Sequence, residues 1–140
     1  MENVPHRLRA LPSWHLLSAA SKASRLVGLR ISELGLSKAD YPALAVLDEF
    51  GPCSQAHLGR QLGMDRKDVS ALLVSLESSG WVTRNPDPAD VRRNLIEISP
   101  DGEVLIKKLD AVLADVQKEL FSALTEGDLA AFVHMLDLVR

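Results

Sequence analysis

The chain has 140 residues, 46% of them hydrophobic and 25% charged, and a net charge of −3. That is enough for one domain, or one domain with an added helical layer, with a core that needs no disulfide or metal. A lone cysteine, Cys53, excludes an intrachain disulfide and a cysteine-rich zinc cluster, and no apolar run approaches the about 20 residues of a membrane span. The N-terminal MENVPHRLRALPSW has basic residues but no continuous apolar core behind them, so it does not read as a signal peptide and the cytoplasm is the expected location. The acid is unevenly placed: residues 101–140 hold four basic against eight acidic side chains. A positive face elsewhere must come from the arrangement of charges and not from their sum.

In chain order, Ser13 to about Ile31 has helical spacing, with Trp14, Leu17, Ser24 and Ile31 on one stripe. Ser37 is placed to cap a helix over residues 38–49 that Gly51-Pro52 ends, and Pro42 is tolerable near its start. Ser54 caps a short helix over 55–61, closed by Gly63. Asp65 caps another over 66–78, with Asp68 three positions in and Gly80 as the stop. Val69, Leu72, Leu73 and Leu76 give that helix one apolar face. Trp81 to Arg84 reads as a short strand and Asn85 to Asp90 as a proline-rich turn. Asn94 to Ile98 reads as the return strand, with Leu95 or Ile96, and Ile98, turned inward. Ser99-Pro100 opens a long helix to about Leu124, and Thr125 caps a last one over 126–139.

Two short helices joined by a glycine-containing turn, followed by an arginine-tipped hairpin, are the plan of a winged helix-turn-helix. The expected class is mainly α with a small β-hairpin wing, flanked by N- and C-terminal dimerisation helices. The expected divisions are 1–36, 37–99 and 100–140. Leu105, Leu109, Val112, Val116 and Leu120 form a wide apolar face on the long helix, and Leu129, Phe132, Val133 and Leu136 one on the last. With Ser13–Ile31, these faces require a partner, which a second subunit would supply.

From Trp14 to Val139 the order of elements resembles the multiple-antibiotic-resistance regulator (MarR) family. LGMDRKDVSALLVSLESSGWVTR is similar to its recognition helix and first wing strand, and DPADVRRNLIEISPDG resembles its wing signature. Ile98-Ser99 stands where Leu-Thr is usual in the family, and Ser99 keeps the capping hydroxyl. The resemblance implies a homodimer of six-helix subunits with a two-stranded wing, a recognition helix in the major groove and a wing tip at the minor groove. It implies a repressor of transcription that a small, often aromatic or anionic, molecule releases from DNA.

The residues suit that role. Arg66 and Lys67 sit in the first turn of the recognition helix, where a guanidinium can contact guanine bidentately and an ammonium can meet phosphate. Ser70 lies one turn on. Ser54 and Gln55 open the preceding helix, where free backbone N–H groups attract anions; His57 reads as a surface histidine. Arg92 and Arg93 follow the wing turn, and arginine gains from the potential of a narrow minor groove. Arg84, on the first wing strand, is grouped with these DNA contacts. The family pattern implies that Asp90 braces a wing or helix arginine, such as Arg84 or Arg66. Ala71 and Ser75 stand where relatives often carry a polar group, and Val91 separates Asp90 from the arginine pair, leaving the choice between Arg92 and Arg93 open.

Trp14, His15 and Tyr41 are candidates for an effector pocket, with core or dimer packing as the alternative. Cys53 reads as a structural thiol, with oxidant sensing as the alternative. Asp110, Asp115 and Glu119 read as a solvated face. The four histidines have no metal-ligand spacing, no nucleophile–base pair or phosphate-cradling loop is recognisable, and neither enzyme nor cofactor is expected. The expected partners are a pseudo-palindromic double-stranded operator, a second copy of the chain and the effector, with no membrane. The other reading is a winged-helix protein–protein assembly module with weak or no DNA binding.

Overall fold

A computed structural model describes residues 3–140. The elements run α1 (His6–Arg9), α2 (Pro12–Ser32), α3 (Asp40–Phe50), β1 (Cys53–Ser54), α4 (Gln55–Leu62), α5 (Arg66–Ser78), β2 (Val82–Asp87), β3 (Asp90–Ile98), α6 (Pro100–Leu120) and α7 (Glu126–Val139). Apart from the single turn α1, this is a six-helix chain with one small sheet. The sheet is antiparallel with strand order β1-β3-β2. Two compact units divide the chain: residues 31–111, and residues 1–30 together with 112–140.

Residues 31–111 hold the hairpin and the helix pair. Ser54 caps α4, its hydroxyl accepting from the His57 N–H at 3.1 Å, and Gly63 ends it in the left-handed region at φ 63°. That conformation costs a glycine least. Asp65 then caps α5, accepting from the Asp68 N–H at 2.8 Å. The predicted apolar face of α5 is buried in full at Val69, Leu72, Leu73 and Leu76, against a core that includes Leu44, Leu47, Leu58, Ile96 and Leu109. Gly59 of α4 is also buried, and a Cβ there would lie 3.1 Å from the Val69 Cγ2.

Where α5, the hairpin and α6 meet, one serine makes three connections. The Ser99 hydroxyl donates to the Gly80 carbonyl at 2.6 Å and accepts from the Gly102 N–H at 3.0 Å. The Ser99 N–H donates to the Trp81 carbonyl at 3.0 Å. The first turn of α6 is thereby drawn against the backbone at the base of β2. Gly102 is buried at that contact, and a Cβ on it would collide with the Trp81 carbonyl oxygen and the Ile98 side chain.

Several predicted boundaries move. Helix α3 begins at Asp40 and not at Lys38, because the Asp40 carboxylate accepts from the Ser37 N–H at 2.8 Å and holds residues 37–39 in a turn. Pro42 then falls in the first turn, where its missing N–H leaves no helical bond unmade. The strands are longer than predicted, and the wing turn shrinks to Pro88-Ala89. Strand β1 was not predicted; two residues are too few to show alternation, and its pairing with Leu95 and Ile96 is long-range. Helix α6 stops at Leu120 and not at about Leu124. The chain must reach the extended backbone of Thr125, which caps α7 in a reciprocal box with Asp128.

In the second unit, Val116 is buried and the Phe121 and Phe132 rings pack with centroids 5.9 Å apart. Arg30 of α2 pairs with Glu119 of α6, so Glu119 is not simply solvated as predicted. No residue of α7 is buried, and Val133, Met135, Leu138 and Val139 are all at least half exposed.

The packing around Gly102 yields a direct test. Gly102→Ala is expected to lower unfolding free energy by about 1–3 kcal/mol, the usual cost of forcing atoms into a filled space, in urea titrations followed by circular dichroism. Gly127→Ala, where a Cβ would meet only the Thr125 hydroxyl at 3.9 Å, is expected to leave the midpoint unchanged or raised. Equal midpoints for the two variants would refute the close-approach account.

Candidate nucleic-acid interface

The wing owes its shape to prolines. Strands β2 and β3 pair in continuous register from Val82↔Ile98 to Pro86↔Asn94, but the next pair is Asp87↔Asp90. Residues 91–93 of β3 therefore have no partner across the hairpin. Pro86 has no N–H to offer the ladder, and the register breaks beside it. Such irregularities re-aim side chains: Arg92 is 87% exposed and Arg93 62%. The Asp87 carboxylate closes the turn by accepting from the Ala89 N–H at 2.8 Å.

Asp90 braces a wing arginine, and that arginine is Arg92. Its carboxylate accepts from the Arg92 side chain at 3.1 and 3.3 Å and from the Arg92 N–H at 3.1 Å. These bonds hold its carboxyl below the usual carboxylate range. Arg93 lies farther off, 3.8 Å from Asp90 and 3.9 Å from Asp87. Neither Arg84 nor Arg66 is its partner among the described contacts; Arg84 pairs with Glu77 at 3.0 Å and is 25% exposed. Arg84 therefore ties the first wing strand to the end of α5. The reason is reach: Asp90 is two residues from Arg92, and Glu77 faces Arg84 where α5 meets β2.

The remaining predicted contacts gather around two concavities. The first, of about 640 Å³, lies among α4, α5 and β3 and is lined by Ser54, Gln55, Arg66, Arg92 and Arg93. Arg60 and Asn94 also line it, and no carboxylate does. The second, broad and shallow, is lined by Gln55, Arg66, Lys67, Ser70, Ala71 and Val74. Arg60 and Asn94 were missed from sequence. Arg60 faces the site only because the turn at Gly63 folds α4 against α5, and Asn94 only because the hairpin register places it opposite Pro86. Four guanidinium groups around one cleft suit a polyanion: each is a charge-assisted donor to phosphate. The adjoining α4 N-terminus adds its own donors. His57 is half-buried and contributes its backbone N–H to the Ser54 cap.

Of the effector candidates, Trp14 and His15 belong to one unit and Tyr41 to the other. His15 lines a cleft of about 530 Å³ with Arg9, Leu16, Ala19 and Phe132. Its Nε2 lies 2.8 Å from the Arg9 carbonyl; a carbonyl only accepts, so Nε2 carries the proton. Trp14 packs edge-on to His15, centroids 5.2 Å apart. Tyr41 belongs to residues 31–111 and donates to Asp110 at 2.6 Å, which also gives Asp110 a partner the sequence did not indicate. Cys53 is half-buried in β1, and burial pushes its thiol pKa up, the opposite of what a reactive thiolate needs. Among the described residues, no helix is long and apolar enough to cross a membrane.

Against known proteins, residues 34–93 match the model of the MarR family. The chain is 34% identical over 96 residues to YcgE of Bacillus subtilis strain 168, an uncharacterized HTH-type transcriptional regulator. That match spans 69% of this chain and 62% of the relative, under two thirds of its length. The HTH-type transcriptional repressor NicR of Pseudomonas putida is 21% identical over 136 residues, 97% of this chain and 86% of that protein. Among solved structures, the Bordetella bronchiseptica BpsR structure, described by its regulation of DNA binding by 6-hydroxynicotinic acid, superposes with TM-score 0.84 at 21% identity. It covers 97% of both chains.

The chain has one tyrosine, so an alkaline absorbance titration reports Tyr41 alone. The hydrogen bond to Asp110, with burial and the Asp110 charge behind it, raises its pKa from 10.0 to about 12. The stabilisation this bond adds is present below the unfolded value of about 10 and is lost as pH climbs toward the folded one. Asp110→Asn should bring the midpoint back toward the value of free tyrosine; an unchanged midpoint would refute the assignment to Asp110.

Proposed function

We propose that the chain is a MarR-family protein and, from that premise, a homodimeric, sequence-specific DNA-binding repressor of transcription that a small aromatic or anionic molecule releases. The observation that carries the reading is the carboxylate-free cleft in which Arg60, Arg66, Arg92 and Arg93 meet beside the α4 N-terminus. In this reading α5 lies in the major groove, with Arg66, Lys67 and Ser70 toward base edges and phosphates. Ser54, Gln55 and Arg60 meet the backbone. Arg92, aimed by Asp90, and Arg93 reach the minor groove. The pairing of Arg84 with Glu77 supports a role in holding the wing for Arg84.

The second copy is supported by α7, which exposes Val133, Met135, Leu138 and Val139 without burying any residue. Contiguous apolar surface of this kind marks an interface, and a two-fold dimer matches a pseudo-palindromic operator. An effector is supported by the Arg9–His15–Phe132 cleft: a guanidinium and an imidazole for a carboxylate, with a ring for an aromatic body. NicR is a transcriptional repressor and DNA binding by BpsR is regulated by 6-hydroxynicotinic acid, a small aromatic acid, which supports the same reading for this chain.

Selection from a random DNA pool, with a salt titration of the winning sequence, tests this. A pseudo-palindrome whose two half-sites lie about one helical turn, ~34 Å, apart is expected. Arg92→Ala is expected to weaken binding and reduce the salt slope by about one counterion, while Arg84→Ala leaves the slope unchanged. No enrichment at low salt would overturn the repressor and favour an assembly module. Sedimentation of the free chain should give a dimer at micromolar concentration, and Leu138→Glu on the exposed α7 face should shift it toward monomer. A wild-type monomer bound as one copy per operator would contradict the two-fold arrangement.

A further inference from the structure

The exposed face of α5 changes character along its length. Arg66 and Lys67 occupy its first turn, and Ala71 and Val74 follow on the same stripe, with Ser70 beside them. Val74 is 59% exposed and Ala71 is exposed. Neither serves the core, which α5 reaches through Val69, Leu72, Leu73 and Leu76. All of Lys67, Ser70, Ala71 and Val74 line one shallow concavity, with Gln55 and Arg66 at its rim and no carboxylate on it. The charge at one end and in the adjoining cleft selects a polyanion; the apolar end must then meet something apolar on that polyanion.

The floor of the major groove presents one apolar group, the C5-methyl of thymine. Resting on the reading of α5 as the helix in that groove, we propose that Ala71 and Val74 determine specificity by packing on thymine methyl groups, so that each half-site carries thymines beside the base pairs met by Arg66 and Lys67. The spacing fits: three helical residues rise ~4.5 Å, close to the ~3.4 Å step between base pairs, so the two side chains address neighbouring or next-neighbouring pairs. A polar side chain at either position would hydrogen-bond to base edges; Ala71 and Val74 cannot, and a cytosine in the thymine position would leave them facing an unsatisfied amino group.

The test removes the methyl groups alone. In the sequence selected by the full-length chain, each thymine of a half-site is replaced in turn by deoxyuridine, which keeps every hydrogen-bonding group. One or two positions are expected to lose about fourfold in affinity, the factor corresponding to the ~0.8 kcal/mol of one buried carbon. Val74→Ala should abolish the loss at one of these positions, and Ala71→Ser at the other, while circular dichroism melts confirm that both variants fold. Tight, selective binding with no uridine-sensitive position in the half-site would overturn this proposal and leave the repressor standing. Binding to no DNA would overturn both. Uridine sensitivity that persists at full size in both variants would assign the methyl contacts elsewhere and overturn the roles of Ala71 and Val74. A change in self-association on Val74→Ala, without uridine sensitivity, would give the face to a protein contact and likewise overturn it.

Discussion

The arrangement of residues 31–111 depends on the hydrogen bonds that converge on Ser99. This buried hydroxyl donates to the Gly80 carbonyl at the end of α5 and accepts from the first turn of α6, and its own N–H is held by the Trp81 carbonyl at the foot of β2. Each of these backbone groups lies at the terminus of an element, where no regular partner exists. Satisfying them together fixes the angle between recognition helix and wing. The hairpin is otherwise a two-stranded ribbon with a two-residue third strand, and such ribbons are marginal by themselves. Its arginines can face the same cleft as Arg66 only if its base is held, and Ser99, with Gly102 allowing the close approach, holds it.

This explains why one part of the site could be read from the sequence and another could not. Caps are local: Ser54, Asp65, Thr125 and Ser99 each bond within three residues, so the helix starts they mark were visible from spacing, and all four lie where predicted to the residue. The apolar face of α5 was visible for the same reason. The charge partners were not. Asp90 could be identified as a brace because an acid at a phosphate surface needs an internal role, but its partner depends on the three-residue register break beside Pro86. That break comes from the ladder's missing donor, and the prolines were read only as a turn signal. The pairing of Arg84 with Glu77 was not visible either, because it depends on how β2 meets the end of α5.

Long-range placement accounts for the rest. Arg60 is an ordinary exposed residue near the end of α4 until α4 folds against α5. Asn94 is the first residue of a predicted strand until the strand is seen to begin four residues earlier. Tyr41 is grouped with Trp14 and His15 as an aromatic of the right kind, but its hydroxyl is committed to Asp110, 69 residues away in sequence. In each instance residue type carried the chemistry and topology carried the address. Only the wing signature, in which several residues act together over a short stretch, carried both.

The modest cationic content of α5 also bears on how such a protein would discriminate. Non-specific affinity for DNA comes from neutralised phosphates and rises with each one. A chain of net charge −3, whose last forty residues hold twice as many acids as bases, gains little from that source and is repelled wherever its acidic helices face the duplex. Its background binding is therefore weak, and the ratio of specific to non-specific affinity rests on contacts that depend on base identity. A recognition face with a guanidinium at its start and methyl-sized groups beyond follows this logic. In the proposed reading the phosphates would be left to a cleft that converges at one place, and sequence would be read by Arg66 together with hydrophobic contact, which salt does not screen.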